Sequence, residues 1–491
     1  MMQGLLFGLR IFTACLIVCT AFFPLWAQVP PTVLKAKRSV VGISVRSTRA
    51  AYNSIGRWQG TGFLCDKENG LIITNKHVAP PDVVGVYTVL FFNGQKLAAR
   101  FVYADPWHDV AVLKISHPDQ IPLQAASLNR FKPARRGQDV YMFGSNQGQT
   151  FSFQIGRVTD LYQDVGFFPH PGLSVAVNSR GGSSGSPLLS ADGDVVGLNY
   201  GGNGAGLGFA LHSRLLQQAL RALLQDKKPG RFHTGAIVKL TSLDSAVNFW
   251  GLSRSRADDW VKRFPDSESR ILKVVGCLKG SPAEAWLKPG DLIISASGRP
   301  VGPSIVLLEE LLNAANGGSV TLGVCRRGKF LKISVPTYNL HHAVIDRLLV
   351  FGGATIFQAD DAMRWQFGVP LKRVMIKHVM PTSAFGLDLV PSASLGAGQG
   401  ANGVVCALLG RNFAGWLRDI PELVKVKRFF ANVQWLEGYS SNYAGLEFSK
   451  RSTDVCGIYY DSSSNLLPEL IQRDKDSRWS VSALLCHPEA A

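Results

Sequence analysis

The sequence predicts a mainly β chain of several domains, with two small barrels in its N-terminal half. The chain has 491 residues, enough for about two to four domains of roughly 100–200 residues each. Short apolar β runs recur from Ser39 to Phe209. Glycine supplies 50 residues, and turns such as Asn93-Gly94 separate the runs, as in sandwiches or barrels.

Composition excludes several classes of protein. The hydrophobic fraction of 46% lies in the globular range, which argues against a disordered chain. No G-x-y period is present, so a collagen-like rod is excluded. The formal charge of +17 leaves nucleic acid, anionic lipid or solubility as explanations. The basic clusters are spread along the chain without interleaved aromatic residues, so we expect no nucleic acid partner and at most weak association with anionic membranes.

The N-terminus has the layout of a secretory signal. Residues 1–27 carry one charge, Arg10, followed by the apolar run Ile11–Phe23 and a small residue, Ala27. We expect cleavage after Ala27, and the alternative is an uncleaved membrane anchor over residues 4–27. Either outcome places the protein outside the cytoplasm, in the periplasm or another exported location.

The cysteines indicate neither a disulfide scaffold nor a metal site. Two of the eight lie in the predicted leader. The other six are widely separated, with no C-x-x-C pair and no Cys/His spacing typical of zinc. Free thiols are therefore expected, although an exported chain can form disulfides.

Eight strands are predicted from the apolar β runs, and a helix is predicted after the last of them. The helix is predicted over Ser213–Leu224 from its apolar spacing, with a break at Lys227–Gly230, so that 216–234 forms a linker. The expected strands are Val40–Val45, Thr61–Leu64, Gly70–Thr74, Tyr87–Phe92, Val110–Ile115, Asp139–Phe143, Ser174–Val177 and Val195–Tyr200.

Three polar segments at strand ends indicate nucleophilic catalysis. They are Thr74–Val78 with His77, Asp105–Lys114 with Asp109, and Gly181–Leu188 with Ser184. A serine hydroxyl needs a base to remove its proton, and the base needs a carboxylate to orient it. Each segment alone has a structural explanation, but His, Asp and Ser occur in an order known for this triad.

The glycines around the serine allow its hydroxyl to be exposed. They also allow the N–H groups of Gly182 and Ser184 to point at one oxyanion. Ser183 and Ser186 are alternative nucleophiles, and Ser184 is preferred because Gly182 and Gly185 flank it as the motif requires. His108 precedes Asp109, but strand alternation directs it elsewhere, and we interpret it as structural.

These motifs resemble the HtrA/DegP family of trypsin-like serine endopeptidases with C-terminal PDZ domains. T-N-x-H-V is met by Thr74–Val78, and D-[LIV]-A-[LV]-L-[KR] is met by Asp109–Lys114. G-N-S-G-G-P-L is met by Gly182–Leu188 with Ser183 and Ser186 as departures. The resemblance implies a chymotrypsin-like double β-barrel over 38–215 and ATP-independent proteolysis without metal or cofactor.

The resemblance also implies a specificity pocket. The family segment G-[IL]-G-F-A is matched by Gly206, Leu207 and Gly208 with the two residues that follow. No acid is present in this segment, so a small or aliphatic side chain is expected before the scissile bond.

Residues 235–337 resemble a PDZ domain. The pattern is a strand at Ile271–Val275, a helix that begins at Ser281-Pro282, the turn Pro289-Gly290 and a second helix over Ser304–Ala314. Such domains add a peptide as a strand to a sheet edge and hold its carboxylate in a backbone nest. We expect the nest near Gly251 and Leu252, where the match is loose, and the alternative is a domain that only packs against the protease.

The remainder matches more loosely. Residues 345–445 form either a second, diverged PDZ-like α+β unit or another fold, and 446–491 are expected to be a C-terminal extension of unknown role. The leading hypothesis is an envelope endopeptidase that cleaves unfolded or damaged proteins and binds C-terminal peptides. The alternatives are a catalytically silent binder or chaperone, and a regulatory protease that cuts one partner. The resemblance implies a homo-oligomer, a trimer in relatives.

Overall fold

The computed structural model describes eleven ranges of the chain. The predicted leader, 1–27, lies outside them, as does much of the C-terminal part. The described residues are 29–51, 55–146, 149–164, 171–351, 354–367, 374–377, 405–407, 428–433, 456–461, 469–474 and 478–483. Within these ranges, no helix is both long enough and apolar enough to cross a bilayer.

Six antiparallel strands close the first barrel after a short helix, α1 (Pro31–Ala36). The strands are β1 (Val40–Ala50), β2 (Gly56–Asp66), β3 (Leu71–Thr74), β4 (Val83–Leu90), β5 (Lys96–Ala104) and β6 (Ala111–Ile115). Their order is β1-β2-β3-β6-β5-β4, and β1 pairs with both β2 and β4. The alternating residues Val41, Ile43 and Val45 are at most 1% exposed and fill the interior.

The second barrel has the same number of strands. They are β7 (Asp139–Asn146), β8 (Gln149–Gln163), β9 (Gly172–Ala176), β10 (Pro187–Leu189), β11 (Val195–Gly202) and β12 (Leu207–His212). The closed order is β10-β11-β12-β9-β8-β7. The double-barrel prediction is confirmed, although β5, β8, β10 and β12 were not among the predicted strands. Strand pairing around two closed rings leaves the loops between strands as the place where a site can form.

The segment predicted as a linker is packed against its neighbours. Helix α2 (Ser213–Leu223) has one buried face, which includes Leu216 and Leu220. Beyond it, Arg231 and His233 are 4% and 5% exposed, and β13 (Phe232–His233) pairs with β20 (Tyr338–Asn339). Of the linker helix and linker predicted over 216–234, the helix is present, but the C-terminal part is buried and does not form an exposed connection.

The third unit is an α+β domain. Its elements are β14 (Ala236–Ser242), α3 (Leu243–Trp250), α4 (Arg254–Arg263), β15 (Arg270–Cys277), α5 (Pro282–Trp286), β16 (Leu292–Ala296), β17 (Arg299–Pro300), α6 (Ile305–Ala314), β18 (Ser319–Arg326) and β19 (Lys329–Pro336). The sheet runs β14-β15-β16-β18-β19, and β17 lies beside β16. The two predicted helices and the strand before them are confirmed, whereas α3 and α4 were not predicted.

The fourth unit is built around a six-stranded sheet. Its described elements are β21 (Arg347–Phe351), β22 (Ala354–Gln358), α7 (Asp361–Phe367), β23 (Val374–Lys377), β24 (Val405–Ala407), β25 (Arg428–Val433), β26 (Cys456–Asp461), β27 (Glu469–Arg473) and β28 (Trp479–Ala483). The sheet order is β24-β23-β22-β21-β27-β28. The predicted boundary at 445 is wrong, because β27 pairs with β21 inside one sheet.

A buried charged cluster joins the first barrel to the third unit. His108 Nε2 lies 2.7 Å from Glu309 Oε2, and both side chains are at most 4% exposed. Arg231 Nε donates to Asp105 Oδ2 at 3.0 Å. Burial lowers the pKa of His108, but the charges of Glu309 and Asp105 and the hydrogen bond to Asp105 together raise it more, so the pKa is raised. The prediction that His108 has a structural role is confirmed. The loop that carries Asp105 and His108 is held by Arg231 and by Glu309.

Candidate active site

Strand pairing brings His77 and Asp109 together. His77 follows β3 and Asp109 precedes β6, and the pair Thr74–Ala111 places both strand ends side by side. His77 Nδ1 lies 2.7 Å from Asp109 Oδ2, while the His77 backbone N–H donates to Oδ1 at 2.8 Å. Both carboxylate oxygens are therefore engaged by one residue. This fixes the ring orientation and leaves Nε2 directed away from Asp109.

Asp109 is itself held in place. Its side chain is 2% exposed, and its backbone carbonyl accepts a hydrogen bond from Asn75 Nδ2 at 2.9 Å. Burial lowers the pKa of His77, but the charge of Asp109 and the hydrogen bond to it raise it more, so the pKa lies above 6.5. The His77 side chain is 44% exposed, which leaves it accessible to a substrate.

Ser184 lies in the loop between β9 and β10, at a bend that needs glycine on both sides. Gly182 and Gly185 have φ of +95° and +88°. A Cβ on Gly185 would lie 1.8 Å from the carbonyl oxygen of Thr61, so no larger residue fits there. The loop can approach the first barrel this closely only because Gly185 has no side chain.

The Ser184 hydroxyl does not contact the imidazole in this state. Its Oγ donates to the carbonyl oxygen of Tyr200 at 3.3 Å. In the described part of the chain, no hydrogen bond links Oγ to His77. Catalytic hydrogen bonds are commonly loose without substrate, so this geometry leaves the candidate nucleophile in place. Rotation about the serine side chain must precede proton transfer.

Two backbone donors beside Ser184 are free. The N–H of Ser183 donates to Arg180 O at 3.0 Å, and that of Gly185 donates to Asn199 O at 2.8 Å. Within the ranges described above, the N–H groups of Gly182 and Ser184 donate to no protein atom. These are the two predicted oxyanion donors, and both are available for an incoming oxygen.

The neighbouring serines have other contacts. Ser183 Oγ donates to Arg180 O at 2.6 Å, and its side chain is buried. Ser186 is fully buried against Gly144, where a Cβ would lie 1.9 Å from the Ser186 Oγ. Ser186 thus faces β7 of the barrel and does not narrow the open side of the site. Of the three serines, only Ser184 is more than 1% exposed.

Sequence reasoning missed Thr61 of β2, which connects the first barrel to the serine loop. Its N–H donates to Ser184 O at 2.7 Å, and its hydroxyl donates to Gly182 O at 2.8 Å. The hydroxyl also accepts from the Ser145 N–H at 2.9 Å. Thr61 therefore orients the residues that carry both oxyanion donors. A threonine between Gly60 and Gly62 in a strand was the available signal.

The three predicted pocket residues differ in how closely they are packed. Gly206 lies in the β11–β12 turn with no atom near its hypothetical Cβ, and Leu207 is half-buried. A Cβ on Gly208 would lie 2.6 Å from Val177 Cγ1 and 3.3 Å from Ser179 Cβ. Gly208 thus allows close packing of β12 against the segment before Ser184, whereas open space lies beside Gly206.

Asn199 is a second residue that sequence reasoning missed. It is 1% exposed, and its Nδ2 donates to Ser183 O at 2.9 Å and to Ser179 Oγ at 3.0 Å. This amide holds the serine loop from the side of the second barrel. Its role depends on contacts between strands that are distant in sequence, so no local pattern reveals it.

Gly251 and Leu252 form a helix end. Gly251 has a φ of +80° and terminates α3, and a Cβ there would lie 2.5 Å from the backbone N of Gly328. Leu252 is 4% exposed, and its N–H donates to Ala246 O at 3.0 Å. A carboxylate nest needs free N–H groups, so these contacts do not support the predicted peptide-binding role of this pair.

Comparison with known proteins finds a family match for most of the double barrel. Residues 60–198 match the family described as "Trypsin-like peptidase domain". "Pro-apoptotic serine protease NMA111" from Vanderwaltozyma polyspora is 29% identical over 372 residues, which cover 73% of this chain and 37% of that protein. "Protease Do-like 7" from Arabidopsis thaliana is 30% identical over 334 residues, 62% of this chain and 29% of that protein. These relatives and the trypsin-like match support the resemblance of the chain to the HtrA/DegP family.

Solved HtrA-type structures are also similar. "HtrA-type protease AlgW with decapeptide" is 20% identical with a TM-score of 0.45, covering 63% of this chain and 97% of that one. A serine endoprotease from Yersinia pestis is 21% identical with a TM-score of 0.43, again with 63% and 97% coverage. The chain spans little more than a third of the length of its Vanderwaltozyma relative.

Proposed function

We propose that this chain is a serine endopeptidase that cleaves peptide bonds through an acyl-enzyme. The observation that carries the proposal is the pairing of His77 with both oxygens of the buried Asp109 carboxylate, together with a partly exposed Ser184. The free N–H groups of Gly182 and Ser184 support it, because together they provide a site for a developing negative charge.

The reaction follows from these positions. Ser184 Oγ rotates from Tyr200 O towards His77 Nε2, which takes its proton as Oγ attacks the peptide carbonyl. Asp109 keeps the proton on Nδ1 and stabilises the imidazolium. The carbonyl oxygen becomes an oxyanion held by the two N–H groups. His77 then protonates the leaving amine, and water releases the acyl group by the same route in reverse.

Hydrolysis of an unfolded protein tests the proposal. The full chain is incubated with β-casein beside Ser184→Ala and the control Ser186→Ala. Ser186 Oγ has no hydrogen-bond partner among the described residues, so its removal should leave cleavage unchanged. Loss of cleavage in Ser184→Ala alone supports the proposal. Equal cleavage by the wild-type chain and Ser184→Ala, or none by any variant, contradicts it.

One observation favours a second candidate function, a catalytically silent binder or chaperone. Ser184 Oγ is bonded to Tyr200 O in place of His77. If this contact persisted with substrate present, no proton could pass to the imidazole. Suppression of aggregation by Ser184→Ala at the wild-type level, with no cleavage by either protein, is the result that this alternative predicts.

The third unit is proposed to act as a PDZ domain that regulates the protease. Edge strand β14 and helix α6 supply Ala236, Val238, Leu308 and Leu312 to the groove where a peptide would add as a strand. Trp107 of the first barrel also lines this groove, and the cavity that remains has a volume of only about 10 Å³. An incoming peptide would have to displace Trp107, which precedes Asp109 by two residues.

Substrates, location and assembly complete the proposal. Unfolded or damaged proteins are the proposed substrates, with C-terminal peptides as ligands of the third unit. Export, with cleavage after Ala27 or anchoring through 4–27, and assembly as a homo-oligomer are proposed on the sequence alone. A dedicated regulatory protease that cuts one partner is the remaining alternative, and the closed groove at Trp107 supports it.

A further inference from the structure

A cavity of about 470 Å³ lies between the first barrel and the fourth unit, away from the candidate active site. Strands β5 and β6, the turn after α2, and β27 contribute to its walls. This volume falls within the roughly 300–1,000 Å³ of typical small-molecule sites. The cationic side chains that line it are Arg100, Lys114, Lys227, Lys228 and Arg473.

Two of these cations face each other across paired strands. Arg100 of β5 lies directly opposite Lys114 of β6 in the strand register. Side chains in such pairs project from the same face, and like charges there are destabilising. In the part of the chain that the structure describes, neither side chain forms an ion pair or a hydrogen bond. The protein therefore tolerates an unneutralised pair of charges at this wall.

Two further cations come from the turn after α2. The Lys227 N–H donates to Ala222 O at 3.0 Å, which ties the turn to the helix. Neither Lys227 nor Lys228 has an ion pair with any described residue. Partial burial lowers the pKa of Lys228, and the positive charge of Arg473 lowers it further, against the opposing effect of Asp346. The cavity thus disfavours positive charge in the absence of a counter-ion.

The fifth cation is fixed in position. Arg473 donates to Pro81 O at 3.1 Å and to Ile345 O at 3.3 Å. Its guanidinium lies 5.0 Å from the centroid of the Phe101 ring and 5.5 Å from that of Trp479. A guanidinium held by backbone carbonyls and aromatic rings loses little freedom when it binds an anion.

The charges on the cavity walls do not balance. Three carboxylates, those of Asp226, Asp346 and Asp474, line the cavity beside the five cations, leaving a surplus of two positive charges. Arginine forks and lysine ammonium groups are the side chains that bind phosphoryl oxygens most often. Because the cations lie on separate walls, a ligand with one charged group could not reach all of them.

We propose that this cavity binds a free small molecule that carries two or more phosphoryl groups. The ligand would neutralise the Arg100–Lys114 pair and connect it with Lys227 and Lys228. Because its walls belong to the first barrel and the fourth unit, the ligand would also stabilise their contact. This inference is independent of the proposed protease activity.

Calorimetric titration of the full chain with sodium tripolyphosphate tests the proposal, at an ionic strength near 0.15 M. Lys227→Gln/Lys228→Gln should bind at least tenfold more weakly than wild type. The control Lys35→Gln/Arg221→Gln removes the same charge from exposed positions outside the cavity and should bind as wild type. No measurable binding by the wild-type chain, or equal weakening in both double variants, overturns the proposal.

A second variant separates a binding role from a structural one. Arg100→Gln removes one member of the opposed pair, so the thermal midpoint without tripolyphosphate should stay level or rise, while binding weakens at least tenfold. A lower midpoint with unchanged binding would contradict the proposal. Vesicles that contain a phosphoinositide are titrated in parallel. Binding to vesicles without binding to tripolyphosphate would point to a lipid surface and overturn the assignment of a free ligand.

Discussion

Thr61→Val is the substitution that most sharply tests how the serine loop is positioned. Valine matches threonine in shape but lacks the hydroxyl that donates to Gly182 O and accepts from the Ser145 N–H. Each buried polar group left unpaired costs about 1–3 kcal/mol. Because Gly182 is only half-buried, we expect water to replace part of its lost hydrogen bond, and the total loss in the free energy of unfolding should be about 2–4 kcal/mol.

The same substitution should reduce the rate. Deleting an oxyanion donor outright costs about 100–1,000-fold in kcat, and a displaced donor should cost less, about 10–100-fold. Hydrolysis of a fluorogenic peptide gives kcat and KM separately, and the loss should appear in kcat. Thr61→Ser keeps the hydroxyl and should retain most activity. Thr48→Val removes an exposed hydroxyl as a control. Wild-type kcat in a folded Thr61→Val protein would refute this account of the loop.

Four further predictions concern the triad, the serine loop and the third unit. Because Asp109 raises the pKa of His77, kcat/KM in a pH–rate profile should fall as the pH drops through a value above 6.5. Asp109→Asn should lower kcat by about 10,000-fold. Gly185→Ala should abolish cleavage and lower the melting temperature, since its Cβ would meet Thr61 O. Trp107→Ala should allow the third unit to bind a C-terminal peptide in fluorescence anisotropy, and no gain in binding would count against the closed groove.

The positions of the candidate catalytic residues could be predicted from the sequence because each lies at the end of a strand. His77 follows an apolar run that becomes β3, and Asp109 precedes one that becomes β6. Their pairing across Thr74 and Ala111 then follows from the closure of one barrel. Glycines on both sides of Ser184 marked a bend, and the structure places a positive φ at each.

Contacts between segments that are distant in the sequence could not be predicted from it. Thr61 meets the serine loop more than 120 residues later, across the interface of the two barrels. The pairing of His108 with Glu309 depends on how the third unit docks. The sequence predicts a peptide nest near Gly251 and Leu252, but the same glycine also suits a helix C-terminus, and α3 uses it in that way.

The most direct measurement of the central claim is labelling of the nucleophile. The full chain is treated with a fluorophosphonate, which reacts only with a serine activated by its base, and the modified residue is mapped by tandem mass spectrometry. The account predicts modification at Ser184, none at Ser183 or Ser186, and loss of labelling in the His77→Ala protein. Modification of Ser183 or Ser186, or labelling that persists without His77, would contradict it.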